Sequence, residues 1–396
     1  MDITIHSRTL QGEINIIPSK SQAHRLLICA AFADAPTLLN CPDTNRDIEA
    51  TVDCLNALGA NIQRTSQGYT VTPAKTIPKY ATLNCCESGS TLRFMLPIVG
   101  ALGVDATFLM EGRLPQRPLS PLWEEMERMG CTLSRPTENT LRCNGQLQPG
   151  HYSIDGGVSS QYITGLLLAL SLMRHPCALE ITGNIESKPY IQLTIAAIRL
   201  FGGNPDQLGS TIFHSPAVVN VEGDWSNGAF FLAAQHLGSD ITLLGLDSES
   251  PQGDRAAATL LPMLKKDNLT ISARDIPDLV PILSVFAAAN HGAVFTDIQR
   301  LRLKESDRVA TTIALINGLG GKAHATENTL TVHGTGLSGG IIDAVNDHRI
   351  AMSAAIAATV CKEDVTILGA HCVQKSYPRF WEEYTRLGGQ YEQYIR

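Results

Sequence analysis

One segment recurs along the chain, and it constrains the fold more than any other feature. An apolar-periodic helix ends in Gly, and a strand, a short polar turn and a second strand follow. It reads LNALGANIQRTSQGYTVTP from Leu55, MERMGCTLSRPTENTLRCNG from Met126 and IRLFGGNPDQLGSTIFHSP from Ile198. It returns as LINGLGGKAHATENTLTVHG from Leu315 and YTRLGGQYEQYIR from Tyr384. Gly just past a helix enters the left-handed region without strain, and the turns TSQG and TEN suit hairpins. Gly59, Gly130, Gly202, Gly320 and Gly388 fall about 70 residues apart, with one gap of about twice that. The gap is expected to house a degenerate copy over Leu261–Ala273. Six copies predict an α/β architecture with internal symmetry, three helix-plus-hairpin units to a domain. A chain of 396 residues is too long for one ordinary core and suits two such domains.

Composition narrows the function classes. Hydrophobic residues are 44% and charged residues 17% of the chain, a globular balance. Apolar stretches such as Ile163 to Met173 are too short to span a bilayer. The opening MDITIHSRTLQGEINI alternates like a strand and lacks the basic-then-apolar order of a signal peptide, so a cytosolic protein is expected. The ten cysteines include no C-x-x-C pair and read as reduced, buried thiols. A formal net charge of −7 argues against nucleic acid as a partner. An anionic ligand must be held by a local basic cluster.

Such clusters stand at helix starts. Ser19-Lys20-Ser21 precedes AHRLLICAAFA, and Glu87-Ser88-Gly89-Ser90-Thr91 precedes LRFMLPIVGAL. Val158-Ser159-Ser160-Gln161 and Ser187-Lys188-Pro189-Tyr190 precede further helical runs. Pro277-Asp278, Lys304-Glu305-Ser306-Asp307-Arg308 and Asn346-Asp347-His348-Arg349 open three more. Ser, Asp and Asn there are ordinary N-caps. The cations are not ordinary, because Lys or Arg in a first turn opposes the helix dipole. Lys20, Arg25, Arg93, Lys188, Lys304, Arg308 and Arg349 lie at or within about two turns of a start. Anionic ligands would relieve the conflict, since helix N-termini with Lys and Arg bind phosphate and carboxylate.

Other motifs fall away. Gly334-Thr335-Gly336-Leu337-Ser338-Gly339 matches G-x-G-x-x-G, but GIIDAV after it reads as a strand, so a glycine-rich turn is expected. There is no P-loop, H-E-x-x-H, zinc-spaced Cys/His cluster or G-x-S-x-G elbow. His348 alone reads as a structural histidine.

Taken together, the helix-start blocks resemble the EPSP synthase family of enolpyruvyl transferases. Pro18-Ser19-Lys20-Ser21 with Arg25 looks like its N-terminal signature. Ser88 to Arg93, Gln116-Arg117-Pro118, Ser159-Ser160-Gln161, Ser187 to Tyr190, Ile276-Pro277-Asp278, Lys304 to Arg308, Asn346 to Arg349 and Lys375-Ser376-Tyr377-Pro378 resemble its later blocks in order. The resemblance implies two similar domains, each a threefold βαβαββ repeat in an inside-out α/β barrel, with a cleft between them. One domain would span residues 20–220, and the other residues 1–19 plus 221–396. It implies transfer of the enolpyruvyl group of phosphoenolpyruvate to the 5-hydroxyl of shikimate 3-phosphate, without metal or organic cofactor, and sensitivity to glyphosate. A monomer acting on these two small molecules is expected.

By the same resemblance, Ser159, Ser160 and Ser187 would hold the shikimate phosphate, with Lys304 in support. Ser21, Arg25, Gln161 and Tyr190 would position the ring and carboxylate. Lys20, Arg117, Lys375 and the backbone at Gly89 would surround the phosphate of phosphoenolpyruvate, with Gln161 near its pyruvyl group. Arg308 and Arg349 would take its carboxylate, a task for planar guanidinium forks. Asp278 and Glu305 would move protons, with Lys20 assisting as phosphate leaves. Two positions depart from the family: Glu87, where many members have Asn, and Arg300, where a small polar residue is usual. UDP-N-acetylglucosamine enolpyruvyl transferases share the chemistry but carry a reactive cysteine on a loop, and Glu111 to Arg117 has none. A non-catalytic anion-binding protein of this fold would have lost charged residues that are present here.

Overall fold

The hairpins of the recurring segment each extend a parallel strand pair. In the computed structural model, which describes residues 1–210 and 212–394, strands Asn61–Thr65 and Gly68–Thr72 pair antiparallel, with Gln63 opposite Thr70. The second joins Thr37–Asn40 antiparallel, and that strand lies parallel to Val218–Asn220. Cys131–Ser134 and Thr140–Gly145 extend Asp105–Leu109 and Tyr80–Asn84 in the same pattern. Lys322–Ala325 and Thr329–His333 extend Gly292–Thr296 and Leu269–Ser272. The last copy closes across the whole chain: Gln390–Tyr394 takes Asp2–His6 as its antiparallel partner, with Thr4 opposite Glu392. Asp2–His6 then pairs with Val365–Leu368, which lies parallel to Gly340–Asp343.

Two of the six expected hairpins are absent among the described residues. The helix carrying Ile198 ends at Leu200, residues 201–210 form turns and bends, and Phe213 makes an isolated bridge with Ala33. Gly209 has φ 74° and so close an approach to the His175 carbonyl that a Cβ would sit 2.0 Å from it. Backbone folded that tightly, with Pro205 nearby, makes a loop and not a ladder. The segment Leu261–Ala273 supplies only the strand Leu269–Ser272, which starts the next sheet. The third sheet in each half is therefore a two-stranded parallel pair, His151–Asp155 with Ala178–Thr182 and Asp240–Leu244 with Gln11–Asn15. The glycine-rich stretch 334–339 is a turn between two strands, as the sequence suggests.

Two compact units result, Pro18–Glu222 and Met1–Ile17 with Gly223–Arg396. The first holds α1 (Lys20–Ala31), α2 (Arg46–Ala57), α3 (Gly89–Leu102), α4 (Leu122–Arg128), α5 (Ser160–Leu172) and α6 (Lys188–Leu200). The second holds α7 (Trp225–His236), α8 (Ala257–Leu264), α9 (Val280–Ala289), α10 (Arg308–Gly318), α11 (His348–Ala357) and α12 (Phe380–Arg386). Strands such as Cys131–Ser134 alternate buried and exposed, so their sheets have one dry face. By contrast α3 and α5 in one unit, and α9 and α11 in the other, are buried nearly all round. Helices apolar on every side belong inside. Sheets therefore lie outside and these helices within each core.

Close approach of the inner helices depends on Gly165 of α5. A Cβ there would stand 2.2 Å from the backbone oxygen of Arg93 on α3, and backbone cannot swing aside as a side-chain tip can. Gly165→Ala is expected to destabilise the protein by about 1–3 kcal/mol through overpacking. Chemical denaturation measures it, and an unchanged midpoint would mean the helices part without cost.

Candidate active site

Because α3, α5, α9 and α11 are apolar along their lengths, their polar side chains collect at their N-terminal ends. Ser88 caps α3, its hydroxyl accepting from the Thr91 N–H at 3.2 Å, and Ser159 caps α5 through the Gln161 N–H at 3.3 Å. Asp307 caps α10 through the N–H groups of Val309 and Ala310, and Asp347 caps α11 through that of Arg349. Glu305 is therefore not the cap of its helix, and Leu279, not Asp278, is the cap residue of α9. Both carboxylates point instead to cations.

In the unit containing α7 to α12, Asp278 is the hub. Its Oδ1 lies 2.5 Å from Arg308 Nη1 and 3.5 Å from Lys304 Nζ, and its Oδ2 lies 3.3 Å from Arg349 Nη2. Burial alone would raise this carboxyl, but Arg349, Lys304 and Arg308 hold it well below the usual carboxylate range. Arg308 is 1% exposed and also binds Glu305 Oε2 at 2.5 Å and Asp347 Oδ2 at 2.9 Å. A guanidinium so deeply buried needs this many anionic acceptors to offset its lost hydration. Lys304 is lowered to about 8, first by burial and then by Arg308 and Arg300, against the pull of Asp278. Arg349 Nη2 also donates to the Ser226 hydroxyl at 3.1 Å, and that hydroxyl donates to buried Asp254. Burial, and secondarily the charge of Asp278, pushes Asp254 up to about 6. Lys375 donates to the Asn346 carbonyl at 3.0 Å, beside the block that carries Asp347 and Arg349.

In the unit containing α1 to α6, the face of Gly89 is roofed by arginine. A Cβ on Gly89 would lie 2.6 Å from both Arg117 Nη1 and Arg93 Nη1. Arg93 is buried beneath, with Nη2 donating to the Pro118 carbonyl at 3.0 Å and its guanidinium 5.7 Å from the Tyr162 ring centroid. Gln161 Nε2 donates to Ser90 Oγ at 3.0 Å, tying the start of α5 to that of α3. Lys20 Nζ pairs with Asp47 Oδ2 at 2.9 Å. Ser187 sits at φ 54°, in the left-handed region, at the entrance of α6. Two such cationic helix-end clusters are suited to bind anions and, at Asp278 and Glu305, to exchange protons.

A sequence profile described as EPSP synthase (3-phosphoshikimate 1-carboxyvinyltransferase) matches residues 5–275 and 260–384. The 3-phosphoshikimate 1-carboxyvinyltransferase of Clostridium kluyveri is 36% identical over 99% of this chain and 98% of its own length. That of Clostridium beijerinckii is 35% identical over 99% of each. The chain belongs to the EPSP synthase family. Its fold is also that of an EPSP synthase structure from Acinetobacter baumannii, with a TM-score of 0.79 at 21% identity over 99% of this chain and all of that one. The enolpyruvyl transferase NikO from Streptomyces tendae aligns with a TM-score of 0.74 at 18% identity, over 99% and 98% of the two chains. Enolpyruvyl transferase chemistry thus comes with family membership.

For a member of this family, the structure brings Asp278, Lys304, Glu305, Arg308 and Arg349 together, and Gly89, Arg117 and Gln161 gather at the α3 end. Two of the arginines expected to meet ligand are held by protein groups. Arg25 is 2% exposed, and its guanidinium donates to Thr194 Oγ1 at 2.8 Å, the Ser21 carbonyl at 2.5 Å, Thr164 Oγ1 at 3.2 Å and the Tyr190 carbonyl at 2.9 Å. It clamps α1, α5 and α6, and burial lowers it to about 10. Arg308 likewise spends its fork on protein carboxylates. Ser21 and Tyr190 meet Arg25 through their backbone oxygens. Glu87, which stands where many family members have Asn, turns along the neighbouring loop: a Cβ on Gly112 would be 2.5 Å from its Oε2. Arg300 adds positive charge beside Lys304. Sequence reasoning missed Asp47, Ser226 and Asp254, which lie in none of the blocks it singled out, and noted Arg93 only as an awkward cation. Among the described residues no His/Cys/Asp/Glu group could hold a metal ion, and no helix is long and apolar enough to cross a membrane.

Lys304 is expected to lose its proton near pH 8. A lysine lowered on folding is more protonated when unfolded, so stability rises with pH from that midpoint up to the ordinary lysine value. Asp278→Asn should lower the midpoint further, because the carboxylate favours the ammonium. NMR titration of the lysine side chains checks both, and a Lys304 midpoint at the ordinary lysine value would refute them. Gly89→Ala should displace the Arg93 and Arg117 guanidiniums and weaken orthophosphate binding about tenfold, or about 1.4 kcal/mol. Calorimetry with unchanged affinity would show that the arginines re-seat freely.

Proposed function

We propose that the protein transfers the enolpyruvyl group of phosphoenolpyruvate to the 5-hydroxyl of shikimate 3-phosphate and releases phosphate. The observation that carries the reaction is the pairing of Asp278 and Glu305 on one buried guanidinium, Arg308. The acceptor rests on family membership and on the presence of Ser159, Ser160, Ser187 and Lys304, residue types that suit a sugar-like phosphate. The fold is taken as two threefold βαβαββ units, each lacking the hairpin of its third sheet.

Asp278, held ionised by three cations, is the acceptor of the 5-hydroxyl proton. Its depressed proton affinity makes it a weak base until substrate anions draw on Lys304 and Arg349; their negative charge then raises it toward its working range. Glu305 delivers a proton to the methylene carbon of phosphoenolpyruvate as the hydroxyl oxygen attacks the adjacent enol carbon. The tetrahedral intermediate then loses phosphate while a methyl proton returns to the Glu305 carboxylate, restoring the carbon–carbon double bond. Lys20 and Arg117, with the Gly89 backbone, take the departing phosphate. Lys375 joins them at the phosphate, Arg349 holds the pyruvyl carboxylate, and Arg308 reaches that carboxylate only by exchanging a protein partner. Fixed cations stabilise the accumulating negative charge without reorganisation.

Phosphate release from phosphoenolpyruvate with shikimate 3-phosphate tests the reading, and activity only with UDP-N-acetylglucosamine would replace the acceptor. Glu305→Gln is the cleaner variant, since Arg308 keeps Asp278 and Asp347. Its single-turnover rate should fall roughly a hundredfold or more with little change in melting temperature. Asp278→Asn should lose comparable activity and also on the order of 3 kcal/mol of stability, because three clustered cations lose their shared counter-charge. A Glu305→Gln enzyme at the wild-type rate would overturn its role as proton donor.

A further inference from the structure

Among the buried titratable groups that the reaction does not use, His24 sits nearest Lys20 along its helix. His24 of α1 is 1% exposed and lies one turn beyond Lys20. Its Nδ1 is 2.7 Å from Thr51 Oγ1 on α2, and Thr51 Oγ1 is 2.7 Å from Thr91 Oγ1 on α3. Thr91 Oγ1 donates to Ser88 Oγ at 2.7 Å and, more weakly, to the Asp47 carbonyl at 3.3 Å. The directions are forced. A threonine hydroxyl has one proton, and that of Thr91 goes to Ser88 and Asp47. Thr51 must therefore donate to Thr91, and His24 Nδ1–H must donate to Thr51. His24 Nε2, buried without a hydrogen-bond partner, is then the bare nitrogen of a neutral ring. An acceptor lone pair left dry costs less than a second, charged N–H would. Burial first, then Lys20 and Arg25, hold this imidazole well below its ordinary value. Its ring stands edge-on to Phe94 of α3, with centroids 6.2 Å apart.

The relay closes a loop. Asp47, whose carbonyl it touches, is the residue whose carboxylate holds Lys20. Ser88, where it ends, caps α3 immediately before Gly89. We propose that His24 is a positioning residue for anion binding, registering the Lys20 turn of α1 against the Ser88–Gly89 end of α3 through Thr51 and Thr91. The inference rests on the proposed function only for the identity of the anion, phosphoenolpyruvate.

His24→Phe keeps an aromatic ring of similar size beside Phe94 and removes the donor. His24→Asn returns an N–H near the position of Nδ1. The Phe variant should raise KM for phosphoenolpyruvate about tenfold with KM for shikimate 3-phosphate within about twofold, and the Asn variant should restore most of the loss. Thr51→Val, which cuts the relay at its middle, should reproduce the Phe variant and serves if that one folds poorly. Nitrogen-15 NMR of the wild-type protein should place the His24 proton on Nδ1. Equal KM values in the Phe and wild-type enzymes, equal losses in Phe and Asn, or a proton on Nε2 would each overturn the proposal. Calorimetry with phosphoenolpyruvate alone repeats the comparison without turnover. Affinity that follows the relay in a protein inactive with shikimate 3-phosphate would support His24 and sink the acceptor assignment.

Discussion

Helices that are apolar on every side cannot lie on a surface, and this constraint organises both units. With α3, α5, α9 and α11 buried along their lengths, their charged side chains stand only in the first two turns. There the free N–H groups need acceptors and the dipole favours anions. Serine and aspartate caps meet the first need. The arginines and lysines added at the same ends create a local excess of positive charge in a chain whose net charge is −7. Chemistry is thereby confined to helix ends, and the sheets are left to cover the core.

Buried charge then sets the local detail. Arg308, 1% exposed, is tolerable only with several carboxylates on its fork, so Asp278, Glu305 and Asp347 converge from separate segments. Their convergence makes Asp278 available to Lys304 and Arg349 as well. The same network holds one carboxylate ionised, pushes Asp254 toward neutrality and lowers the Lys304 ammonium toward about 8. The unit containing α1 to α6 uses hydroxyls more than carboxylates. Its relay through Thr51 and Thr91 joins helix ends without adding charge near an anion site.

Much of this was legible beforehand, because it depends on local chemistry. The Gly after each helix, the TSQG and TEN turns and the capping Ser and Asp residues are short-range signals, and four of the six expected hairpins form. The order of the cationic helix starts was enough to name the family. Failures came where local signals were overridden. The stretch after Ile198 has the composition of a copy, yet Gly209 packs against the backbone near His175 and breaks the ladder. Arg25 looked like a ligand-binding cation by position. Its burial among α1, α5 and α6 turns it into a clamp, because a buried guanidinium takes whatever acceptors surround it.

The sequence by itself determined the α/β class, the repeat, the family and the residue types at each helix start, since all of these are written in spacing along the chain. Tertiary structure decided who pairs with whom. Asp47 holds Lys20 across 27 residues, Asp347 reaches Arg308 across 39, and the N-terminal strand completes the C-terminal hairpin. Charge and hydrogen-bond partners act over a few ångströms of space, whatever the distance along the chain. Which cations remain for a substrate, and which are consumed by the protein, is therefore settled only once the helices have packed.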